Sequence, residues 1–556
     1  MTGVTIRAMS KPVTDRLLTA LQAIQESQGA VSDTALKALS QARSEPLYRL
    51  EGLRSFYPVF REIAGAPHRL QICRDGPCRL KGQALAADLQ VALDGRQDLD
   101  IEMVSCLGLC DCAPASALNE TPGPLPDAST VIEWLDNAHW PIPVATNNLQ
   151  RLPTDPYPGV DCRYGAIKAW RDRPAEDIIR EIEAAGLQGL GGAAFPTARK
   201  WAFTRAASGE PRTVICNADE SEPGTFKDRH LLENAPHLVI EGMLLGGVVI
   251  GASLGVIYLR HEYHQARRRI EEALATARGS GVLGPDARGP GLAFDIELFV
   301  SPGGYILGEE TALLEALEDR RGEPRHKPPF PTTVGLHGGP TLINNVETLA
   351  AVTTILARGA SWWRAQGRGE HAGLKYICVS GDIKTPQVLC LPWGSTVAEA
   401  IEGCGGLSDG RNLLAFSPGG ASTPFLPPTA ADTPMTFDDL RAAGSGLGTG
   451  ALFVVGTGRS LADVLLAQAH FFRNESCGKC VPCRVGSAKG VEMAESALEH
   501  SPAPIEQALE TLHHTLSRTS ICGLGQVALL PLVDGLRRFP DEPSLKPLKG
   551  FTTGAD

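Results

Sequence analysis

The spacing of apolar residues predicts a helical beginning to the chain. The segment TDRLLTALQAIQESQG carries leucine and isoleucine at helical intervals and stops on a glycine. A second segment, DTALKALSQA, predicts another helix with Asp33 as its N-cap. We therefore expect a helical lead-in over residues 1–67.

At His68 the pattern changes to strands separated by helices. HRLQIC and IEMVSC predict strands on either side of the helix ALAADLQVAL, which indicates a small α/β domain over residues 68–140. A proline-rich polar stretch predicts a linker over residues 141–160. The rest of the chain divides into an α/β domain (161–360), a small mixed α/β domain of ubiquitin-like size without predicted chemistry (370–457) and a helical segment (458–545).

One apolar run, LVIEGMLLGGVVIGASLGVIYL from Leu238 to Leu259, is long enough to span a membrane. Glu241 and five glycines interrupt it, and the chain has no second run of this kind. We therefore predict a buried helix that continues into a buried strand.

Length, charge and cysteine content limit the classes of function that this chain can have. A length of 556 residues is too great for one core and agrees with roughly three to five domains. The net charge of −11 argues against nucleic acid as the main partner. The N-terminus has no apolar signal core, so we expect a cytoplasmic protein without direct membrane insertion. In that compartment, the fourteen cysteines are more often metal ligands than disulfides.

Eight of the cysteines form two sets. The C-terminal set is a C-x2-C-x2-C turn with one distant cysteine, a spacing typical of [4Fe–4S] ligands, whereas zinc sites usually pair cysteines two and two. The N-terminal set, CxxxxC and CxxxC on loops after strands, favours an iron–sulfur cluster; a zinc site or unligated thiols are the alternatives. The C-terminal set is Cys477, Cys480, Cys483 and Cys522, and the N-terminal set is Cys73, Cys78, Cys106 and Cys110.

A glycine-rich stretch, GLQGLGGAAFPTARKW from Gly186 to Trp201, follows the amphipathic helix DIIREIEAAG. Dense glycines let a backbone approach a flat or phosphorylated ligand closely and present N–H groups to an anion. Lys200 adds a cation and Phe195 a ring face. A surface loop without a ligand is the alternative, since such a motif is weak alone.

Polar residues follow several of the predicted strands. An acidic turn after TVIC carries a carboxamide and three carboxylates that suit ribose hydroxyls or a ring edge; a solvated acidic turn is the alternative, and for this motif alone the better one. Glu309 and Glu310 fall in the first turn of a helix, where acids also favour the helix dipole. Asn344 and Asn345 precede a helix, a good place to capture an anion. The turn residues are Asn217, Asp219, Glu220 and Glu222, and a proline-held loop further on carries Lys327 and Phe330.

With these motifs in order, the chain resembles the NADH-binding flavoprotein subunit of respiratory complex I and its soluble relatives. CNADESEPGTFKDRHLLE, GGYILGEETALLEALE, RHKPPFP, PTLINNVETLA and ESCGKCVPCRVG…SICGLG follow the glycine loop in the family's order. CRDGPC and CLGLCDCAPA resemble the family's thioredoxin-like [2Fe–2S] subunit. The resemblance implies a multidomain α/β protein: a thioredoxin-like domain, an FMN- and NAD-binding domain, a ubiquitin-like domain of the SLBB type, and a helical bundle with a [4Fe–4S] cluster.

The resemblance also implies the chemistry. NAD(H) would exchange hydride with FMN, and FMN would exchange single electrons with the clusters. Fusion of the two subunit types is typical of soluble NAD-linked enzymes, and RHKPPFP, SPGGAS and TSICGLGQ look closest to the β subunit of molybdenum- or tungsten-dependent formate dehydrogenase. Implied partners are a metal-containing catalytic α subunit and a small [2Fe–2S] subunit. A hydrogenase or complex I diaphorase subunit, and a non-catalytic electron-transfer scaffold, are the alternatives.

Individual roles are carried over by motif. Glu220 and Glu222 are the predicted catalytic residues, and Glu222 with its acidic surround would disfavour the extra phosphate of NADP. The other implied roles are Gly189, Gly191, Gly192, Ala193 and Lys200 for the FMN cradle; Asn217, Asp219 and Glu220 for the flavin ring and ribityl; Tyr305, Gly308, Glu309 and Glu310 for the same cavity; Asn344, Asn345 and Thr348 for the FMN phosphate; Phe195, Phe203 and Phe330 for the rings of NAD; and Lys327 and Glu222 for its polar parts.

The chain departs from the family pattern near the predicted cofactor site. Ala194 and Ala198 stand where glycine is common, Leu307 replaces a cysteine, and SPGG replaces GAGA before Tyr305. Alanine is nearly as small as glycine, so we expect the cradle to persist.

Overall fold

Three helices form the beginning of the chain in the computed structural model, which describes residues 15–137, 151–500 and 502–550. Ser32, not Asp33, is the N-cap of the second helix: its hydroxyl accepts the Ala35 N–H at 3.2 Å, and Asp33 is the first helical residue. The prediction of Asp33 as cap was therefore wrong by one position. The helices are α1 (Leu17–Gln28), α2 (Asp33–Arg43) and α3 (Leu47–Phe56).

The next unit is a four-stranded mixed sheet with two helices. Its strand order is β2-β1-β3-β4, with β1 parallel to β2 and antiparallel to β3. This is the strand–helix–strand arrangement expected of a thioredoxin-like domain. Its elements are β1 (His68–Cys73), α4 (Gly76–Ala92), β2 (Leu99–Val104), β3 (Ala115–Leu118), β4 (Thr121–Pro124) and α5 (Ala128–Asn137).

The largest unit is built on a parallel sheet of order β7-β6-β5-β8. Both faces of this sheet are covered, as parallel sheets require. Its elements are α6 (Gly165–Trp170), α7 (Ala175–Ala185), α8 (Thr197–Ala206), β5 (Thr213–Ala218), α9 (Lys227–Asn234), α10 (Pro236–Ile250), β6 (Leu254–Leu259), α11 (His264–Gly279), β7 (Asp295–Val300), α12 (Glu310–Leu317), β8 (Thr341–Asn345), α13 (Val346–Arg358) and α14 (Ala360–Arg364).

Alternate residues of this sheet belong to two different hydrophobic cores. Val214 and Cys216 of β5 face the core that contains α10 and α13. Ile215, between them, faces a second core shared with the N-terminal helices and α12. Leu18 of α1 donates its N–H to Asp319 at 3.1 Å, which fixes the lead-in to this second face.

The long apolar run forms the buried helix α10 and the buried strand β6, as predicted. The charge that interrupts it is satisfied locally: Glu241 accepts hydrogen bonds from the Tyr157 hydroxyl at 2.7 Å and the Ile167 N–H at 2.8 Å. Residues 151–158 of the predicted linker thus pack on the α/β domain, whereas residues 141–150 lie outside the described part. Among the described residues, none of the helices is long and apolar enough to cross a bilayer.

The last two units are a small mixed sheet and a helical bundle. The sheet has the order β10-β9-β12-β11, with β9 parallel to β12. Its elements are β9 (Leu374–Gly381), β10 (Gln387–Pro392), α15 (Val397–Gly403), β11 (Leu413–Ser417), α16 (Phe437–Ala442) and β12 (Ala451–Gly456). The bundle consists of α17 (Leu461–Asn474), α18 (Val481–Glu499), α19 (Glu506–Thr519), α20 (Gly523–Val527) and α21 (Leu530–Arg538).

Candidate cofactor cavity and cysteine sites

A cavity of about 440 Å³ lies beyond the carboxyl ends of β5 and β8. Ligands of parallel α/β sheets bind at this edge, and the volume falls within the usual range for small-molecule sites. The cavity gathers residues from four predicted motifs and one cysteine. Predicted residues that line it are Gly191, Gly192, Ala193, Asn217, Asp219, Glu220, Glu222, Tyr305, Gly308, Glu309, Asn345 and Cys522.

The glycine loop forms one wall of this cavity. A Cβ on Gly191 would lie 2.9 Å from the Asn345 Cβ, so the loop approaches the end of β8 as closely as a glycine allows. Gly192 has φ of 108°, a region that other residues rarely adopt. The wall therefore depends on glycine for both space and backbone conformation, as a cradle for a flat ligand requires.

The rest of the loop closes on itself outside the cavity. The Gly189 N–H donates to the Phe195 carbonyl at 2.9 Å, so Gly189 shapes the loop without lining the cavity. Ala194 has φ of 55°, a left-handed conformation. Alanine at this position keeps the loop but carries a backbone strain on the order of 1 kcal/mol.

The acidic turn provides the floor. The Asn217 side-chain amide donates to the Gly308 carbonyl at 2.8 Å, which ties the turn to the opposite wall. Asp219 is 6% exposed, and within the described residues neither of its carboxylate oxygens has a hydrogen-bond donor. An unpaired buried carboxylate beside a cavity fits a ligand that carries hydroxyl or N–H donors, as the ribityl chain of FMN does.

Glu220 serves the protein as well as the cavity. It accepts the N–H groups of Asp228 at 2.9 Å and Arg229 at 3.0 Å, in the first turn of α9, and the Tyr263 hydroxyl at 2.9 Å. Burial raises the pKa of Glu220 to about 7, with a further contribution from the Asp228 charge. Its carboxylate is thus held rigidly at the cavity floor.

Glu222 joins two domains at the cavity. It accepts the Tyr305 hydroxyl at 2.6 Å and the Ser422 N–H at 2.7 Å, and it is 7% exposed. Burial raises the pKa of the Glu222 carboxyl. Ser422 belongs to the small mixed domain, so this contact closes the cavity from a domain to which the sequence assigned no chemistry.

Glu309 lines the cavity but Glu310 does not. Glu309 is the N-cap of α12 and accepts the N–H groups of Thr311 and Ala312 at 2.9 Å each. The Lys327 ammonium lies 2.7 Å from Glu309 and 2.9 Å from Glu310. Glu309 therefore both caps the helix and lies at the cavity edge, and the two glutamates together hold Lys327 beside that edge.

Of the residues expected at the phosphate end, Asn345 alone reaches the cavity. Asn345 caps α13 by accepting the Glu347 N–H at 3.0 Å. Asn344 points to Trp201, whose indole N–H donates to it at 2.9 Å, and the Thr348 hydroxyl accepts the Leu190 N–H at 2.9 Å. These two residues support the walls from behind.

The three aromatic residues expected to hold the rings of NAD lie outside the enclosed space, whereas Glu222, expected at its polar parts, lines it. Phe195, Phe203 and Phe330 are 39%, 49% and 53% exposed. The Arg199 guanidinium, which the sequence did not single out, lies 5.9 Å from the Phe195 ring centre and 5.8 Å from that of Phe203. Exposed rings beside a cation offer stacking faces to a planar ligand. Lys200 donates to the Ile343 carbonyl at 3.1 Å, and burial lowers its pKa.

The C-terminal cysteines lie directly beside the cavity. Cys480 and Cys522 are the N-caps of α18 and α20, and Cys483 lies in the first turn of α18. Burial raises the pKa of Cys483 to about 11, and the neighbouring Cys480 and Cys477 thiols add to the shift. Cys522 also lines the cavity. Cys477 lies in the segment before α18. Four clustered thiols, three of them at helix N-termini, are the donor set of an iron–sulfur cluster.

The N-terminal cysteines also converge. The sulfurs of Cys106 and Cys110 are 3.6 Å apart, and the neighbouring Cys106 and Cys78 thiols raise the pKa of Cys73. Hydrogen bonds from Cys110 and Cys73, with the Arg260 charge, lower the pKa of Cys106. Cys78 lies within α4 rather than on the predicted loop. In the described chain, no three His, Cys, Asp or Glu side chains are placed to hold a single metal ion.

One loop separates the N-terminal cysteines from the cavity. The Gly224 N–H donates to the Cys110 sulfur at 3.2 Å, while Glu222, two residues earlier, lines the cavity. The two cysteine sites therefore flank the cavity on different sides.

Several cavity residues escaped the sequence analysis. Gly448 and Thr449 of the small domain line the cavity, and the Thr449 hydroxyl is 2.8 Å from that of Thr225. The glycine turns SPGGAS and GLGTG were the available signal, because turns that dense in glycine permit close approach. The remaining lining residues that were missed are Ser221, Thr225, Asp228, Ile306, Ser422, Gly523, Leu524 and Val527.

Comparison with known families accounts for most of the chain. Four family models match: the thioredoxin-like [2Fe–2S] ferredoxin over residues 5–138, the Nuo51 FMN-binding domain over 182–354, the SLBB domain over 376–426, and the NADH-ubiquinone oxidoreductase-F iron–sulfur binding region over 463–545. Their order is that of the domains described above.

Curated relatives and solved structures agree with this assignment. An F-type subunit of the NADH-quinone oxidoreductase of Rhizobium meliloti is 41% identical over 383 residues, 68% of this chain and 91% of the relative. The mitochondrial NADH dehydrogenase [ubiquinone] flavoprotein 1 of Dictyostelium discoideum is 39% identical over 67% of this chain and 79% of its own. A chain of the NAD+-reducing [NiFe]-hydrogenase in the H2-reduced state is 30% identical, with a TM-score of 0.85 over 97% of this chain and 94% of that chain.

The fold and site define an FMN-binding iron–sulfur oxidoreductase. The chain belongs to the family of F-type subunits of NADH-quinone oxidoreductase and carries that family's FMN-binding and [4Fe–4S] regions, preceded by a thioredoxin-like [2Fe–2S] ferredoxin domain. Its residues fit these groups, because Gly191 leaves room that a side chain would fill, Asp219 offers an unpaired carboxylate, and both metal donor sets consist of four cysteines.

Proposed function

We propose that this chain is the diaphorase subunit of a multisubunit enzyme, exchanging hydride between NAD(H) and FMN and single electrons between FMN and its clusters. The observation that carries this proposal is the position of Cys522, which lines the same cavity as the glycine loop. A ligand on that loop lies next to the [4Fe–4S] ligands, so electrons have a short route between them. FMN supplies the conversion of one two-electron step into two one-electron steps.

The chain's own residues position and enclose the reactants. Glu220 and Glu222, the predicted catalytic pair, each accept donors from neighbouring elements, which supports an electrostatic and positioning role. The exposed rings of Phe195, Phe203 and Phe330 suit the planar ends of NAD. The carboxylates at the cavity edge favour NAD over NADP, because the extra phosphate would add negative charge beside Glu222 and Glu309.

We further propose that the partner is a molybdenum- or tungsten-containing formate dehydrogenase α subunit, with a small [2Fe–2S] subunit. The fused N-terminal domain and the motifs RHKPPFP, SPGGAS and TSICGLGQ support this assignment. A docking face is available beside the [4Fe–4S] ligands: Val481 and Val485, one turn apart on α18, are 59% and 56% exposed.

A second candidate is the diaphorase subunit of an NAD-reducing hydrogenase. The match of the [NiFe]-hydrogenase chain over nearly the whole length, N-terminal domain included, favours it.

Two measurements test these proposals. Purified full-length protein should show flavin absorption bands that bleach on addition of NADH, and should reduce an artificial acceptor with NADH far faster than with NADPH. A protein with clusters but no flavin and no NADH oxidation would be the non-catalytic scaffold. Native co-purification with metal analysis decides the partner: molybdenum or tungsten supports formate dehydrogenase, and nickel supports hydrogenase.

A further inference from the structure

A second cavity adjoins the cofactor cavity through a thin wall. It has a volume of about 340 Å³ and lies between the thioredoxin-like, α/β and helical domains. Three residues line both cavities: Asp219, Ser221 and Tyr305. The two spaces are thus separated by single side chains, one of which is ionisable at neutral pH.

Asp219 is unlike the other carboxylates of the acidic turn. Glu220 accepts three hydrogen bonds and Glu222 accepts two. Neither oxygen of Asp219 has a donor in the described chain, although the residue is 6% exposed. The Ser301 hydroxyl lies close enough to lower the pKa of Asp219, but the hydrogen bond that it donates with good geometry goes to the Tyr258 hydroxyl at 3.3 Å. Burying a carboxyl without a hydrogen-bond partner costs free energy. We therefore look for a function in which this group gains and loses a proton.

The groups around Asp219 bring its pKa close to neutral pH. Burial raises the pKa of Asp219 to about 7, Arg260 opposes the shift, and the charges of Glu262 and Glu475 add to it. Tyr258 faces it from β6 and Ser301 from the end of β7. On the outer side, the second cavity carries further titratable groups, His261, Glu262 and His264.

The proposed function requires a proton to leave the cofactor cavity, and the wall shared with the second cavity offers a route for it. When NADH is oxidised, its C4–H bond breaks, and bound FMN would accept the hydrogen with both electrons. The two electrons then leave singly through the clusters, and the transferred hydrogen leaves as a proton. Each NADH oxidised to NAD+ therefore releases one H+ and two electrons, and NAD+ reduction takes up the same. Glu220 and Glu222 already accept hydrogen bonds from the protein, so their carboxylates are less suited to carry this proton.

We propose that Asp219 is the proton carrier between the cofactor cavity and the second cavity. Protonated, it passes the proton outward to the titratable side chains of the second cavity; ionised, it accepts the next one. This inference rests on the proposed diaphorase function and adds a route for its proton.

The test uses the full-length, FMN-loaded protein and the variants Asp219→Asn and Asp219→Glu. Asp172→Asn, an exposed aspartate whose side chain is 74% accessible, is the matched control. Flavin content is measured first. In flavin-loaded Asp219→Asn, electron delivery to an acceptor at the clusters should slow by about a hundredfold, well beyond any slowing of bleaching by NADH, with a larger solvent isotope effect and no inflection near neutral pH. Asp219→Glu should restore part of the rate. An unchanged rate and pH profile in flavin-loaded Asp219→Asn would overturn the proposal.

A second measurement covers the case in which Asp219→Asn loses its flavin. Infrared difference spectra of the wild-type protein, reduced with dithionite in H2O and D2O, should show a carboxyl C=O band that shifts in Asp219→Glu and persists in Asp172→Asn. Absence of that band overturns the carrier role. Because dithionite bypasses NADH, a positive band together with no bleaching by NADH would refute the diaphorase function and leave the carrier role standing.

Discussion

The two four-cysteine sites differ in how they meet the surface. The N-terminal cysteines are all buried, from 1% exposed for Cys78 to 5% for Cys73, and the α/β domain covers them. Of the C-terminal set, Cys483 is buried and the other three are partly exposed beside two exposed valines. The C-terminal site therefore meets both the cofactor cavity and an exposed face, whereas the N-terminal site is enclosed by protein except where Cys106 borders the second cavity.

This difference indicates different roles for chemically similar ligand sets. A cluster between a cavity and an open face is placed to pass electrons through the molecule. For a cluster whose cysteines are all buried between domains, we expect electron exchange mainly with the cofactor cavity. Substitutions at each cysteine site, at the exposed valines of α18 and in the acidic turn test this distinction.

Replacing Cys522 should have the largest effect. Cys522→Ser removes a ligand at the cavity wall, and we expect loss of about four irons per chain. Electron delivery to the partner should stop, while NADH still bleaches the flavin. Iron analysis and stopped-flow absorbance measure the two effects. Full electron delivery by the variant would place the through route elsewhere.

Replacing Cys73 should remove a smaller cluster. We expect Cys73→Ser to lose about two irons per chain and to keep most of its electron delivery to the partner. Iron analysis with electron paramagnetic resonance checks this. An unchanged iron count would mean that the N-terminal thiols hold no cluster, and a complete loss of delivery would contradict the enclosed role.

Charging the open face should weaken partner binding alone. For Val485→Glu we expect about tenfold weaker binding, roughly 1.4 kcal/mol, because a carboxylate must be desolvated in the interface. NADH oxidation with a small acceptor should be unchanged. Val91→Glu is the matched control, since Val91 is 80% exposed on α4 of the thioredoxin-like domain. Equal losses in both variants would argue against a special face at α18. Binding is measured by titration with the purified partner.

Asp219, in the acidic turn, should lower the free energy of unfolding at high pH. The pKa of Asp219 is raised from 3.8 to about 7 in the folded protein, so the folded state binds the extra proton. Stability from this group is present below its unfolded pKa and decreases as pH rises from about 4 to about 7. In FMN-free protein at pH 8, the free energy of unfolding of Asp219→Asn should therefore exceed that of wild type by an amount on the order of 1–2 kcal/mol, seen as a higher unfolding temperature. The gain should vanish near pH 4. Calorimetry at both pH values measures it; a gain at pH 4 alone would contradict the sign.

Local patterns were sufficient for much of this protein. The apolar run around Glu241 predicted α10 and β6, and the C-x2-C-x2-C spacing with a remote Cys522 predicted a converging thiol set. Periodicity predicts helices and strands because they depend on residues close in sequence. Spacing predicts the thiol set because few cofactors are bound by cysteines in this pattern. The error at Asp33 is a one-residue displacement of a cap, where Ser and Asp have similar propensities.

The sequence by itself determined the domain order, the buried faces of the main strands and the chemical identity of the ligand sets, because each is written in local residue patterns. The tertiary structure alone decided which members of each motif reach the cavity: Asn345 but not Asn344, Glu309 but not Glu310, and Ser422 from a domain without predicted chemistry. The reason is physical. Adjacent side chains leave a strand or helix end in different directions, and packing between domains selects the one that faces the cofactor cavity.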